Sequence, residues 1–198
     1  MKRFIISSLI LTAGAAFAVA CADDSDNISD LRANAVSTYS LIVEASYADS
    51  VSTAQALDAT LENLVANPSE QALIDAQQAW LDSREPYLQT EVYRFYNGPI
   101  DNDDLDGPEG LINAWPLDEG YIDYIDGNAT SGIVNGTDTI DSATLESLNE
   151  VGGETNVATG YHAIEFLLWG QDQNENGPGE RAYTDYVVSS NGPNGCYS

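Results

Sequence analysis

Apolar side chains recur at three- to five-residue steps through Ile28, Leu31, Ala35, Tyr39, Ile42 and Tyr47, and Ala54, Leu57, Leu61 and Leu64 carry the period up to Asn67-Pro68. That spacing is helical, and the Asn-Pro pair ends it. Ser69 follows as a candidate N-cap, opening a third helix with Leu73, Ala76, Trp80, Tyr87 and Phe95 on one stripe. Pro86 is expected to kink or restart this helix, because proline has no N–H to give the ladder. From residue 97 to 136 the chain turns to Gly, Pro, Asn and Asp with scattered aromatics, which predicts a long irregular connection. Helices resume over about 141–149 and 156–171, the second apolar nearly all round and so expected to be buried. The pattern predicts an all-α protein: an up-down helical bundle with a long irregular loop.

Charge narrows the function classes. The chain of 198 residues carries 32 acidic and 6 basic side chains, for a net charge of −26. So acidic a protein is a poor partner for nucleic acid or an anionic membrane surface. Lys2 and Arg3 precede an almost wholly apolar or small stretch, Phe4 to Ala20, which ends Ala18-Val19-Ala20-Cys21. This is the layout of a secretory signal over residues 1–20, too short for a spanning helix. Cys21 directly after it resembles the bacterial lipobox, in which the cysteine is lipidated, so a lipid anchor in the membrane is expected. Residues 21–27 then form the anchored cysteine and a solvated tether, and 28–198 the domain proper. A soluble secreted form, and a Cys21–Cys196 disulfide, remain the alternatives.

The last helix carries the candidate chemistry. His162 and Glu165 stand at i, i+3, about 60° apart around a helix and therefore on one face. Two readings are open: a His and a carboxylate that ligate one metal ion, or a buried histidine hydrogen-bonded to a glutamate one turn away. With a single His there is no H-E-x-x-H helix; no G-x-S-x-G elbow or Walker loop occurs either. Any metal site must be mostly oxygen with one nitrogen, which favours a hard cation over copper or structural zinc. Glu91 falls about 20° from Trp80 on an unbroken helix and would enter the core. Its partner is then Arg84, Arg94 or a cation shared with His162 and Glu165. Asp101 offers a further oxygen from the loop, or is a solvated turn carboxylate. Asp172-x-Asn174-x-Asn176-Gly177 and Asn102-x-Asp104-x-Asp106-Gly107 imitate calcium loops without the closing Glu, and turn chemistry is the competing account.

The run Gly160-Tyr161-His162-Ala163-Ile164-Glu165-Phe166-Leu167-Leu168-Trp169-Gly170-Gln171-Asp172 closely resembles the G-x-H-x-x-E signature of the imelysin-like family. Arg84-Glu85-Pro86-Tyr87-Leu88-Gln89-Thr90-Glu91, Gly98-Pro99-Ile100-Asp101, Asn113-Ala114-Trp115-Pro116-Leu117-Asp118-Glu119 and Ile122-Asp123-Tyr124 add further blocks in order. The resemblance implies an exported bacterial protein, periplasmic or on the outer membrane, linked to iron uptake and built from two related helical bundles. Members are about twice this length, so the resemblance implies that the chain corresponds to the N-terminal half, a partial up-down helical bundle, and is expected to show apolar surface. The leading expectation is cation capture in iron acquisition or homeostasis, with iron as the metal and calcium or zinc as alternatives. His162, Glu165, Glu91 and Asp101 would be the ligands. Arg84 would orient or neutralise a ligand carboxylate, and Trp115, Asp118, Glu119 and Tyr161 would line the cleft. The family also carries a metallopeptidase label, under which Glu165 would be catalytic and a peptide the substrate. A surface lipoprotein that engages a partner, such as a protein of iron uptake, is the third class.

Overall fold

The structure is a computed structural model describing residues 24–98, 100–102 and 107–187. The proposed signal, Cys21, Cys196, and Asp104 and Asp106 of the second acidic loop lie outside the described residues. Among the described residues the regular structure is helical, with no strand and one isolated bridge between Ile125 and Asn128. No helix among them is long and apolar enough to cross a membrane.

The first helix, α1 (Asp24–Ala66), is one continuous helix where the sequence reading counts two, since no Pro or Gly interrupts the apolar period between Tyr47 and Ala54. Inside it the chain divides into two compact units, Met1–Ile42 and Val43–Ser198. In the first unit the helix is solvent-exposed from Asn27 to Ile42, and its apolar positions Ile28, Leu31, Val36, Tyr39, Leu41 and Ile42 are 41–67% exposed. In the second unit Leu57 and Leu64 of α1 are buried.

α2 (Glu70–Thr90) starts where its cap predicts, with Ser69 Oγ accepting from the Ala72 N–H at 3.1 Å. Ala72, Leu73, Ala76, Trp80, Ser83, Tyr87 and Thr90 form its buried stripe at helical spacing. Pro86 does not break it. Its missing N–H forfeits one bond, to the Asp82 carbonyl, and Asp82 is exposed, so water can take that carbonyl instead. The change of winding comes later, at Glu91, where a 3₁₀ turn (Glu91–Tyr96) takes over. Three residues per turn rotate the phase, and Phe95, expected on the buried stripe, is 89% exposed.

The irregular connection holds short helices: α3 (Glu109–Asn113), α4 (Glu119–Ile122) capped by Asp118, and a 3₁₀ turn (Ile133–Asn135). α5 (Ser142–Leu148) is capped by Asp141, whose Oδ1 accepts from the Thr144 N–H at 2.8 Å. α6 (Gly160–Trp169) begins at Gly160 rather than at 156, because Asn156 to Thr159 are drawn into the preceding loop. There Asn149 Oδ1 accepts from the Ala158 N–H at 2.9 Å, and Asn156 Nδ2 donates to the Val151 carbonyl at 2.7 Å. As the sequence predicts, no residue of α6 is fully exposed.

The main core joins Leu57 and Leu64 to Leu73, Ala76, Trp80 and Tyr87 of α2 and Tyr161 and Leu168 of α6; Ile122, Ala163 and Phe166 form a second cluster. Burial of each large side chain contributes roughly 1.5–3 kcal/mol. Three long-range hydrogen bonds set the register of α2 on α6: Gln77 Nε2 to the Leu168 carbonyl at 3.0 Å, Trp80 Nε1 to the Tyr161 carbonyl at 2.9 Å, and Ser83 Oγ with Tyr161 Oη at 2.7 Å.

The entrance to α6 depends on one glycine. Gly160 has φ of +86°, and a Cβ there would fall on the Ile112 carbonyl and 2.7 Å from the Leu111 carbonyl oxygen. The expected result for Gly160→Ala is a loss of about 2–4 kcal/mol, combining backbone strain with the displacement of α3, measured by urea denaturation.

Candidate functional site

α6 presents His162 and Glu165 together: Nδ1 and Oε2 are 2.8 Å apart, with the imidazole 15% and the carboxylate 41% exposed. An ionised carboxylate can only accept, so Nδ1 is the donor, and in the neutral imidazole Nε2 is then the nitrogen that carries the lone pair. The pair thus has the hydrogen bond of the second sequence reading, but it stands at a surface cleft and not within the core. The Trp115 ring packs 4.8 Å from the imidazole and is itself largely exposed.

The cleft encloses about 790 Å³. All three tryptophans of the chain, Trp80, Trp115 and Trp169, line it, together with His162 and the carboxylates of Asp118, Glu119, Glu165 and Asp172. Glu119 is held by Gln171, whose Nε2 donates to its Oε2 at 2.8 Å, while Gln171 Oε1 accepts from the Asp126 N–H at 2.6 Å. Asp118 spends Oδ1 on capping α4 at 3.0 Å. Tyr161 lies behind the cleft in the core, 5.0 Å from the Tyr87 ring. Arg84 stacks on Tyr161 from the α2 side, Cζ 4.9 Å from the ring, and donates from Nη1 to Asn113 Oδ1 at 2.6 Å.

The other expected ligands gather elsewhere. Arg94 Nε meets Asp101 Oδ1 at 2.7 Å, its Nη2 meets Glu109 at 2.5 Å, and its Nη1 reaches Glu91 at 3.8 Å. Glu91 is half-exposed, because the buried face of α2 stops at Thr90. A guanidinium, not a shared cation, is therefore what these three carboxylates surround. Among the described residues, no three His, Cys, Asp or Glu side chains converge as a set able to hold a metal ion. In the first calcium-like loop, Asp172 Oδ1 and Asn174 Oδ1 accept from the N–H groups of Asn174 and Asn176, which is turn chemistry.

Sequence reasoning missed a buried ion pair beside the second cluster. Arg181 Nη1 donates to Asp123 Oδ2 at 2.7 Å, and both side chains are 4% exposed. Asp123 also accepts from Asn135 Nδ2 at 3.0 Å and from the Tyr124 N–H at 2.8 Å. The guanidinium lies over the Tyr124 and Phe166 rings, at 4.9 and 5.4 Å. Its Nε and Nη2 are buried without a hydrogen-bond partner among the described residues. Burial, reinforced by the hydrogen bond to Asp185, pushes the Tyr124 phenol up to about 12. The available signal was compositional: an acid inside the apolar run Ile122-Asp123-Tyr124, and one arginine in the whole C-terminal half. Arg181→Met leaves the Asp123 carboxylate buried without its counter-ion. The expected cost is about 3–5 kcal/mol by urea denaturation, partly recovered in Arg181→Met/Asp123→Asn.

Compared with known families, residues 43–196 match the family model described as Imelysin, a peptidase family. A search of curated proteins finds no match.

Proposed function

The chain belongs to the imelysin family, and on that premise we propose that it is an exported protein that captures a metal cation, iron, at the His162–Glu165 pair. The observation that carries this reading is the pair itself: Glu165 holds Nδ1 at 2.8 Å and so fixes the imidazole with Nε2 as its free donor atom, in a cleft lined by carboxylates. A carboxylate behind a ligating histidine raises its basicity and locks its tautomer. Glu165 therefore acts on the cation chiefly through His162, and Asp118, Glu119 and Asp172 supply field and further oxygens. The cation is cargo here, and iron acquisition or homeostasis is the process it serves.

A resident hydrolytic metal fits poorly. Such a centre needs about three protein ligands and an open position, whereas the only histidine has one nitrogen already engaged and, among the described residues, no third ligand converges on it. One oxygen of Glu165, the candidate base, is already engaged by that same nitrogen. No bond-cleaving step follows from this donor set. The family's peptidase name favours a metallopeptidase as the second reading, and the same variants separate the two.

The test is metal content and affinity of the purified chain by calorimetry. His162→Ala is expected to abolish iron binding, and Glu165→Gln to weaken it by about 10–100-fold, with circular dichroism unchanged. Binding that persists in His162→Ala rejects the site. Metal-dependent proteolysis lost in Glu165→Ala, with metal still bound, favours the peptidase. Export and anchoring rest on Lys2-Arg3, the apolar stretch and Cys21. Cys21→Ala is expected to move the protein from the membrane fraction of expressing cells to the soluble fraction, and retention in the membrane would count against lipidation.

A further inference from the structure

Beyond Arg3, four arginines face 32 acidic residues, and the described structure holds them in different ways. Arg94 is surrounded by three carboxylates and Arg181 is buried against Asp123, while Arg32 lies on the exposed first unit. Arg84 differs from all of them. It is partly buried, yet it makes no ion pair among the described residues. Its guanidinium is gripped by the rings of Tyr161, Tyr87 and Trp80, at 4.9, 5.5 and 5.7 Å, and by one amide oxygen, Asn113 Oδ1. Aromatic faces hold a cation without cancelling its charge, as a carboxylate would. The only buried, unpaired polar side-chain atoms among the described residues belong to Arg181, so the remaining N–H groups of Arg84 reach solvent. A planar fork of donors with its charge intact matches a carboxylate in bidentate fashion.

Its position relates it to the cleft. Arg84 does not itself line the cleft but stands one helical turn beyond Trp80 and Leu81, which do, on the same face of α2. Asn113, its hydrogen-bond partner, opens the three-residue segment whose last member, Trp115, packs on His162. Tyr161, under the guanidinium, is the neighbour of His162 in α6. The cleft's donors are also dispersed: a hard cation wants about six oxygen or nitrogen ligands, and no three of the described His, Cys, Asp or Glu side chains converge on one point.

We infer that Arg84 is the seat of a carboxylate carried by the cargo, so that the cleft receives the cation as its complex with a small polycarboxylate rather than as a bare ion. The cation half of this inference rests on the capture reading above, and the carboxylate half rests on Arg84. The polycarboxylate completes the coordination shell that His162 begins, and Arg84 balances its charge in a strongly acidic protein.

The test is calorimetry on the full chain with four probes: ferric citrate, citrate alone, manganous chloride and trialanine with a free C-terminus. Arg84→Met, which keeps the apolar stem on the rings, is expected to weaken ferric citrate about 10–100-fold while leaving manganous ion unchanged. Arg84→Lys should recover part of the loss, since it restores charge without the fork. Asn113→Ala frees Nη1 and leaves the stacked side chain in place, and its smaller loss serves if Arg84→Met fails to fold. Equal ferric citrate affinity in wild type and the folded Arg84 variants overturns the inference, as does a wild type that binds manganous ion but not ferric citrate, which leaves cation capture standing. Citrate binding through Arg84 with no metal binding keeps the carboxylate seat and removes the cation reading. Trialanine binding in preference to citrate assigns the seat to a peptide terminus and overturns the chelate.

Discussion

The second unit is organised around the fixation of Tyr161. Its ring is buried between Trp80 and Tyr87, its hydroxyl shares a hydrogen bond with Ser83, and its carbonyl accepts from the Trp80 indole. A buried hydroxyl or indole N–H left without a partner costs about 1–3 kcal/mol, so sliding α6 along α2 by one turn would break two such bonds at once. Apolar packing alone tolerates several registers of two helices; these paired polar groups select one. Because Tyr161 is locked inward, His162 next to it is carried to the cleft, and Glu165 follows one turn later.

Electrostatics shapes the rest. In a chain with so few cations, two arginines organise the carboxylates around them: Arg94 draws Asp101, Glu109 and Glu91 together where the loop leaves α2, and Arg181 anchors Asp123 beside the second cluster. Repulsion among the remaining acidic groups is screened by salt, since at about 0.15 M it decays over roughly 8 Å. The cleft carboxylates keep a local negative potential because Gln171 and the α4 N-terminus, not cations, hold Glu119 and Asp118.

What was legible in the sequence was local. The Ser69 cap, the α2 stripe as far as Tyr87, the Asp141 cap and the facing of His162 and Glu165 all follow from spacings within two turns. The failures have identifiable causes. The periodicity assigns Glu91 and Phe95 to an α-helix that changes winding at Glu91, and it extends the last helix back over 156–159 although the positive-φ backbone of Gly160 is the point of entry. The Asp123–Arg181 pair spans 58 residues of sequence, and no local period encodes it. Arg84 was expected to serve a carboxylate, and what holds it instead is a set of ring faces contributed by both α2 and α6.

The gathering of every tryptophan around one cleft has an optical consequence. Trp80 and Trp169 meet edge to face with centroids 5.4 Å apart, and Trp115 stacks obliquely on the imidazole that would meet an incoming ion. No indole elsewhere in the chain contributes background emission. The intrinsic fluorescence of this protein is therefore a readout of one place, and a paramagnetic or redox-active occupant of the cleft would quench it without any label.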